Sequence, residues 1–322
     1  TFLAGVSGEA AAARVAAVAA GAVSPRRESV AAFRSRFVTV DTRGEPVWWE
    51  IGTRGEPRLV GGGRDVRSRD VGELDFVGPD DAVIALTSRL AGGLYYGDLY
   101  RWNLVTGERR ALTRGARAAE PAVSPSGSLV AHTRIHEGGT ELWTLDLETG
   151  EATQLTRGGQ VADPVWLDDA TIAVTWHRDG ERAIWRVDVA SATAEPWFST
   201  GGTPLALHAW RGGLVFSSDH DGELDVYMAR RDSYRLCRLT RTVTGAVSPV
   251  VVAGAAGGAG TEEQANGGGP ATASEAGDAR VYFGTLTGEG YAIVSTPVRP
   301  EGCEPLSDSF GGGDRARRHQ AR

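Results

Sequence analysis

The chain repeats itself every 42 to 43 residues, and that period restricts its fold more than any other feature. Leu112-Thr113-Arg114, Leu155-Thr156-Arg157 and Leu239-Thr240-Arg241 are separated by 43 and then 84 residues, the second gap holding two periods. The copy between them ends on Phe198-Ser199-Thr200. Trp143 stands twelve residues before its leucine, Tyr100 and Tyr227 keep that spacing, and Trp185 misses it by one. Openings recur as well: Val23-Ser24-Pro25, Val77-Gly78-Pro79, Val123-Ser124-Pro125, Val165-Trp166-Leu167, Ala209-Trp210-Arg211 and Val247-Ser248-Pro249.

The segment 122–157 shows what one copy is made of. Ser124-Pro125-Ser126-Gly127 is turn chemistry, because proline presets φ and glycine accepts the strained position after it. Leu129 to Ile135 is apolar and β-branched, His136-Glu137-Gly138-Gly139 breaks it, and Glu141 to Leu147 alternates again. Thr149-Gly150 then turns the chain into Ala152–Thr156. With a short strand before Ser124, each copy holds four antiparallel strands. Four strands per 40–45 residues are the signature of propeller blades. The chain therefore reads as all-β: a six-bladed β-propeller of four-stranded antiparallel blades over 21–308. The Leu-Thr-Arg segments are expected as outermost strands, and the Val-Ser-Pro segments lead into innermost ones. Trp48, Trp143 and Trp185 are expected in the blade core.

Three segments fall outside the repeat. Residues 1–20 are Ala-rich and predict a short N-terminal helix or a linker from an upstream domain; with no basic leader and no starting Met, they do not read as a signal peptide. Residues 253–278 are a Gly/Ala/Thr-rich run that predicts a disordered insertion in the last blade. Residues 309–322 predict a disordered basic tail.

The blades also carry a family likeness. "PAVSPSGSLVAHTR", "ELWTLDLETGEATQLTR" and "DLYRWNLVTGERRALTRGARAAEPAVSP" resemble the repeat of TolB-like six-bladed β-propellers with WD-type repeats. "TRTVTGAVSP" and "GEGYAIVSTPV" are similar to the last two blades of bacterial envelope proteins that carry a gluzincin-like peptidase domain ahead of the propeller. A second likeness is to the propeller of prolyl-oligopeptidase-type peptidases, whose hydrolase domain follows the last blade. These resemblances imply a periplasmic or secreted protein and a module that binds a protein or peptide segment. They also imply an alternative role, as the substrate-gating accessory propeller of a peptidase.

The chemistry visible in the residues points away from catalysis. There is no Gly-x-Ser-x-Gly elbow, His-Glu-x-x-His, phosphate loop or Cys-x-x-Cys in the sequence. The expectation is a non-enzyme without cofactor or metal. A net charge of −7, with no lysine, argues against nucleic acid, whose phosphates demand a basic face. No run of about 18 apolar residues suggests a membrane span, and a monomer is expected. His136, His177 and His220 recur in the loops between second and third strands, but equivalent loops on neighbouring blades are too far apart to share a zinc ion, whose bonds are about 2.0–2.1 Å. Cys237 and Cys303 are placed on diverging outer strands, too far apart for a disulfide.

A partner site is expected on the face where those loops and the blade linkers open together. Its candidates are Tyr95 and Tyr96 in a long loop at 88–98, the acidic loop residues Glu137, Asp179, Asp219 and Asp221, and the linker arginines Arg114, Arg117, Arg157 and Arg241. The two tyrosines either anchor a partner or cap a neighbouring blade.

Overall fold

The structure is a computed structural model, and it describes residues 38–51, 56–89, 95–136, 138–211, 213–230, 235–253, 279–287 and 290–299. The predicted helix at 1–20, nearly all of the insertion and the tail lie outside the described residues, which contain strands and no helix.

The first sheet runs β1 (Val38–Val40), β2 (Pro46–Ile51), β3 (Pro57–Gly61) and β4 (Arg64–Arg67). The second runs β5 (Leu74–Gly78), β6 (Asp81–Arg89), β7 (Tyr95–Asn103) and β8 (Arg109–Ala111). Next come β9 (Ala118–Val123), β10 (Leu129–His136), β11 (Gly139–Asp146) and β12 (Ala152–Gln154), followed by β13 (Gln160–Asp168), β14 (Thr171–Arg178), β15 (Glu181–Asp188) and β16 (Ala194–Phe198). Then follow β17 (Leu205–Trp210), β18 (Gly213–Ser218), β19 (Asp225–Arg230) and β20 (Leu236–Arg238), and finally β21 (Ala246–Val252), β22 (Arg280–Thr287) and β23 (Gly290–Pro297).

The sheets differ from six separate four-stranded blades. Four are separate among the described residues, the one built from β21, β22 and β23 having three strands. The strands from β9 to β16 form one eight-stranded sheet instead. The fusion rests on a single parallel pairing, Thr140 with Gln160. Gly139 allows it: a Cβ there would collide with the Gly159 carbonyl, so the tip of one hairpin can lie against the entry of the next strand.

Within the repeat, strand positions follow the sequence closely. The turn at Ser124–Gly127 is closed by the Gly127 N–H on the Ser124 carbonyl at 2.8 Å, with Gly127 at φ 73°. Asp146 Oδ1 accepts the N–H groups of Glu148 and Thr149 ahead of Gly150. The Leu-Thr-Arg segments, expected as outer strands, instead follow them. Strands β8, β12 and β20 end just before Leu112, Leu155 and Leu239. The 88–98 loop is also shorter than expected, because β6 and β7 extend the hairpin and place Tyr95 and Tyr96 opposite Arg89 and Ser88.

Side chains alternate across each strand, so both faces of a sheet are apolar and each packs on a neighbour. Trp49 of the first sheet stacks on Trp102 of the second, with centroids 6.1 Å apart at 4°. Val83 and Leu99 pack with Val130 and Leu145; Ala131 and Leu142 pack with Val174 and Trp176. Ile184 and Phe198 meet Phe216 and Tyr227; Val226 and Met228 meet Val281 and Phe283. Val38 and Trp48 then pack against Val250, Tyr282 and Ile293 of the last sheet, so the cycle closes on itself. The first strands follow the same cycle: β1 lies by β5, β5 by β9, β9 by β13, β13 by β17, β17 by β21, and β21 by β1. This is a propeller arrangement around one axis.

Two core expectations change. Trp48 is buried, but Trp143 and Trp185, on the third strands β11 and β15, are only half-buried. Arg134 covers Trp143, its guanidinium 4.4 Å from the ring centroid. The fully enclosed tryptophans are Trp49, Trp102 and Trp176. Cys237, in turn, is disulfide-bonded; the chain's other cysteine, Cys303, lies outside the described residues. Cys237 does lie on the outermost strand of its sheet, β20, and its side chain is buried in the cluster shared with the last sheet.

Candidate functional site

The first strands enclose a cavity of about 360 Å³ along the axis, and its wall draws on all six of them. Four of the first strands, β9, β13, β17 and β21, carry a bulge: pairing slips between Thr133 and Ala131 on β10's side, between Ala162 and Val165, between Leu205 and His208, and between Val247 and Val250. The bulge residues Glu120, Asp163, Ala206 and Ser248 have φ of 53°, 52°, 53° and 51°. A side chain in this left-handed region is strained and persists only where its surroundings hold it.

Carboxylates do that holding, each reaching from one unit to the next. Glu73 Oε2 accepts the Glu120 N–H at 2.9 Å, and Glu120 Oε2 accepts the Asp163 N–H at 3.1 Å. The Asp163 carboxylate accepts the Ala206 N–H. Lower in the channel, Asp75 Oδ2 accepts the Val123 N–H at 2.8 Å. The bulges at Glu120, Asp163 and Ala206 are thus linked from one repeat to the next by a chain of side-chain-to-backbone bonds.

Burial makes these acids poor at holding charge. Desolvation first, then repulsion by Asp163 and Glu73, pushes Glu120 up to about 8. Desolvation also raises Glu73 and Asp163, and lifts Asp75 to about 6. His208 on the same wall is lowered to about 4 by burial, so it stays neutral. Among the described residues, no three His, Cys, Asp or Glu side chains are arranged to hold a metal ion. His136 lies 3.6 Å from Glu141, and His220 packs edge-on to Tyr227.

The residues expected at the partner face separate into two groups. Arg114, Arg157 and Arg241 are exposed in the linkers, and Asp179 is exposed in the turn between β14 and β15, 3.5 Å from Arg178. Asp219 and Asp221 serve the fold. Asp219 Oδ1 accepts the Thr203 N–H of the preceding linker at 2.5 Å; Asp221 Oδ2 receives the Tyr227 hydroxyl at 3.1 Å and Arg238 at 3.0 Å. Tyr96 is half-buried, and Arg117 stacks 4.7 Å from its ring centroid while donating to its hydroxyl. The side chain of Tyr95, and all of Leu94 and Glu137, lie outside the described residues. Two apolar side chains that the sequence did not single out stand open on the same side, Ile135 at 55% and Val243 at 56% exposure.

The channel acids also escaped the sequence reading. Their signal was Glu120-Pro121, Asp163-Pro164 and Ser248-Pro249, which recur at the repeat interval. Proline suits the position after the bulge because it lacks an N–H to pair.

No family model matches the chain, and no curated protein matches it in sequence. Solved structures do. A protein described as TolB from Agrobacterium tumefaciens superposes with a TM-score of 0.50 at 20% identity, over 64% of this chain and 77% of that one. TolB from Acinetobacter baumannii gives 0.51 at 16% identity, over 84% and 65%. The fold is that of a TolB-like β-propeller. The propeller is also similar to a puromycin-hydrolysing peptidase of Mycobacterium tuberculosis, with a TM-score of 0.51 at 14% identity. That match covers 85% of this chain and about half, 52%, of the peptidase.

Proposed function

We propose that the chain is a six-bladed propeller that acts as a non-catalytic interaction module, engaging a protein or peptide segment at the linker face. The closed cycle of apolar clusters supports the blade count, with the eight-stranded sheet read as two blades joined at Thr140 and Gln160. The observation carrying the function is the make-up of that face. Exposed Arg114, Arg157, Arg241 and Asp179 stand with Ile135 and Val243 on a rigid scaffold, the mixture of charge and open apolar surface that recognition uses. The disulfide at Cys237 favours an oxidising compartment, in keeping with a bacterial envelope or secreted protein.

A second reading is favoured by the peptidase similarity: the chain is the accessory propeller of a larger peptidase and gates substrate through the axial cavity. Two measurements test these readings. The purified chain is expected to show no peptidase or esterase turnover above background; saturable hydrolysis abolished by a single substitution would overturn the non-catalytic reading. Triple substitution of Arg114, Arg157 and Arg241 with Glu is expected to abolish binding of a partner at the linker face while leaving the melting temperature unchanged. Retained affinity would move the contact elsewhere.

A further inference from the structure

The exposed charges on the linker face are sorted by sector. Over the second, third and fourth units they are mostly arginines. Arg114 and Arg117 follow β8, Arg157 follows β12, and Arg178 and Arg182 stand at the two ends of the turn between β14 and β15. Over the fifth unit, the turn between β18 and β19 exposes Asp219, Asp221 and Glu223 instead. The whole chain carries a net charge of −7, so the arginine sector runs against its composition.

Contacts make this sector one surface. The Arg117 guanidinium, stacked on Tyr96, belongs to a residue whose carbonyl accepts the Ile135 N–H at 3.2 Å. Ile135 pairs with Thr140 across its hairpin, and Thr140 pairs with Gln160 and donates to the Gly159 carbonyl at 3.3 Å. The carbonyl of Gly158, next to Arg157, accepts the Trp176 indole N–H at 2.9 Å, and Arg178 lies 5.2 Å from the centroid of that indole. Gln160 also pairs with His177, and His177 with Arg182. The path from Tyr96 to Arg182 is unbroken, and it crosses the pairing that fuses two units into one sheet. Arginines held on a fused sheet and backed by aromatic rings have less freedom to lose on binding.

The chain neutralises little of this charge itself. Asp98 and Glu141 are buried under the linkers and accept the N–H groups of Gly115, Ala116 and Gly158. Asp179, 3.5 Å from Arg178, is the only exposed carboxylate described in these turns and linkers; Glu137 and the Glu181 side chain lie outside the described residues. Arg114, Arg117 and Arg157 form no ion pair among the described residues, and Ile135 stands 55% exposed beside Arg117. We propose that this sector docks an acidic segment of a partner protein, its carboxylates on Arg114, Arg117 and Arg157 and an aliphatic side chain on Ile135. Guanidinium forks match carboxylates in paired hydrogen bonds, and clustered arginines are a recurring way to read acidic motifs. The inference rests on the linker-face reading and narrows it: Arg241, over the acid-bearing fifth unit, lies outside the contact.

Selection of a random peptide library, displayed on phage, against the full chain tests this. Enriched peptides are expected to be rich in Asp and Glu around a Leu, Ile or Val, and the synthetic peptides to bind saturably and more weakly as salt rises. The double variant Arg114→Glu, Arg157→Glu is expected to weaken them by about tenfold or more, Ile135→Ser by a few-fold, and Arg241→Glu not at all. Arg117→Ala also frees Tyr96, so the two unstacked arginines carry the test, with melting temperatures confirming that each variant folds. Enrichment without acidic bias, or equal loss on Arg241→Glu, overturns this inference and leaves the linker-face reading standing. No enrichment, or peptides that no linker-face substitution affects, overturns both. Phosphatidylglycerol vesicles or DNA bound more tightly than the peptides, through the same arginines, would overturn the acidic segment in favour of that ligand.

Discussion

The hydroxyl of Thr240 stands between two buried groups: it receives the Val226 N–H at 2.9 Å and donates to Asp225 Oδ1 at 2.7 Å. Thr113 does the same for Leu99 and Asp98, and Thr156 receives the Leu142 N–H at 2.8 Å. Asp98 also accepts the N–H groups of Gly115 and Ala116, and Asp225 that of Thr242, so each aspartate staples a linker to the third strand of its own sheet. This is why Leu-Thr-Arg recurs. The leucine closes the outer edge, the threonine satisfies the aspartate, and the arginine points to solvent. Thr240→Val is expected to cost about 1–3 kcal/mol by leaving a buried carboxylate short of a donor, read as a lower urea midpoint, whereas Arg241→Ala leaves that midpoint in place. Equal effects from both would remove the staple as the reason for the motif. The spacing of these residues was legible in the sequence, but their partners were not. Asp98 lies fifteen residues before Thr113, and only antiparallel pairing brings the two together.

At the scale of single strands, the decisive devices are the bulge and the hairpin. Strand runs, turns and the innermost-to-outermost order could be read from alternation and Gly or Pro placement. Bulges could not, because one extra residue leaves the apolar pattern almost intact while rotating a carboxylate into the channel. Their consequence is an unusual pH response. Between the ordinary glutamate value of 4.5 and about 8, folded Glu120 keeps a proton that the unfolded chain has lost, so stability falls as pH rises and levels off above about 8. Asp75 acts in the same direction up to about 6. Buried His208 works oppositely: below 6.5 the unfolded chain takes up a proton that the folded one refuses, and stability drops toward pH 4. Buried His132, lowered to about 3, adds to the effect of His208, so the carboxylates outweigh the histidines from about pH 7 to 8. The melting temperature is expected to decline across that window and Glu120→Gln to flatten the decline; an unchanged slope in the variant would place the titration elsewhere. The hairpin of β6 and β7 carries a separate test. If Tyr95 and Tyr96 anchor a partner, the double alanine variant weakens binding by about 1–3 kcal/mol with little change in unfolding. The stack of Arg117 on Tyr96 makes part of the opposite result expected, a loss of thermal stability, and a variant that changes neither quantity contradicts both roles.

For the whole molecule, the repeat period pointed to the propeller arrangement, while the described strands fall into five sheets, and two features of assembly stayed hidden. One is the fusion of two units through Thr140 and Gln160, which depends on glycines at 139 and 159 permitting close approach. The other is the disulfide, concealed because the sequence shows which strand Cys237 is on and not that it faces the neighbouring sheet. Cys237→Ser is expected to lower stability by about 2–4 kcal/mol, measured by denaturation with and without reductant, and the variant alone is then insensitive to reductant. Among the described residues, the seam between first and last sheets has the fewest buried side chains of the six apolar clusters. Both the linker face and the acidic channel exist only if it closes. A crystal structure of the chain tests this most directly. Six units around one axis, with Trp48 packed against Tyr282 and Ile293 and the Glu73–Glu120–Asp163 chain intact, is the predicted result; an open arc with Trp48 in solvent, or a ring with a different number of units, would contradict the account.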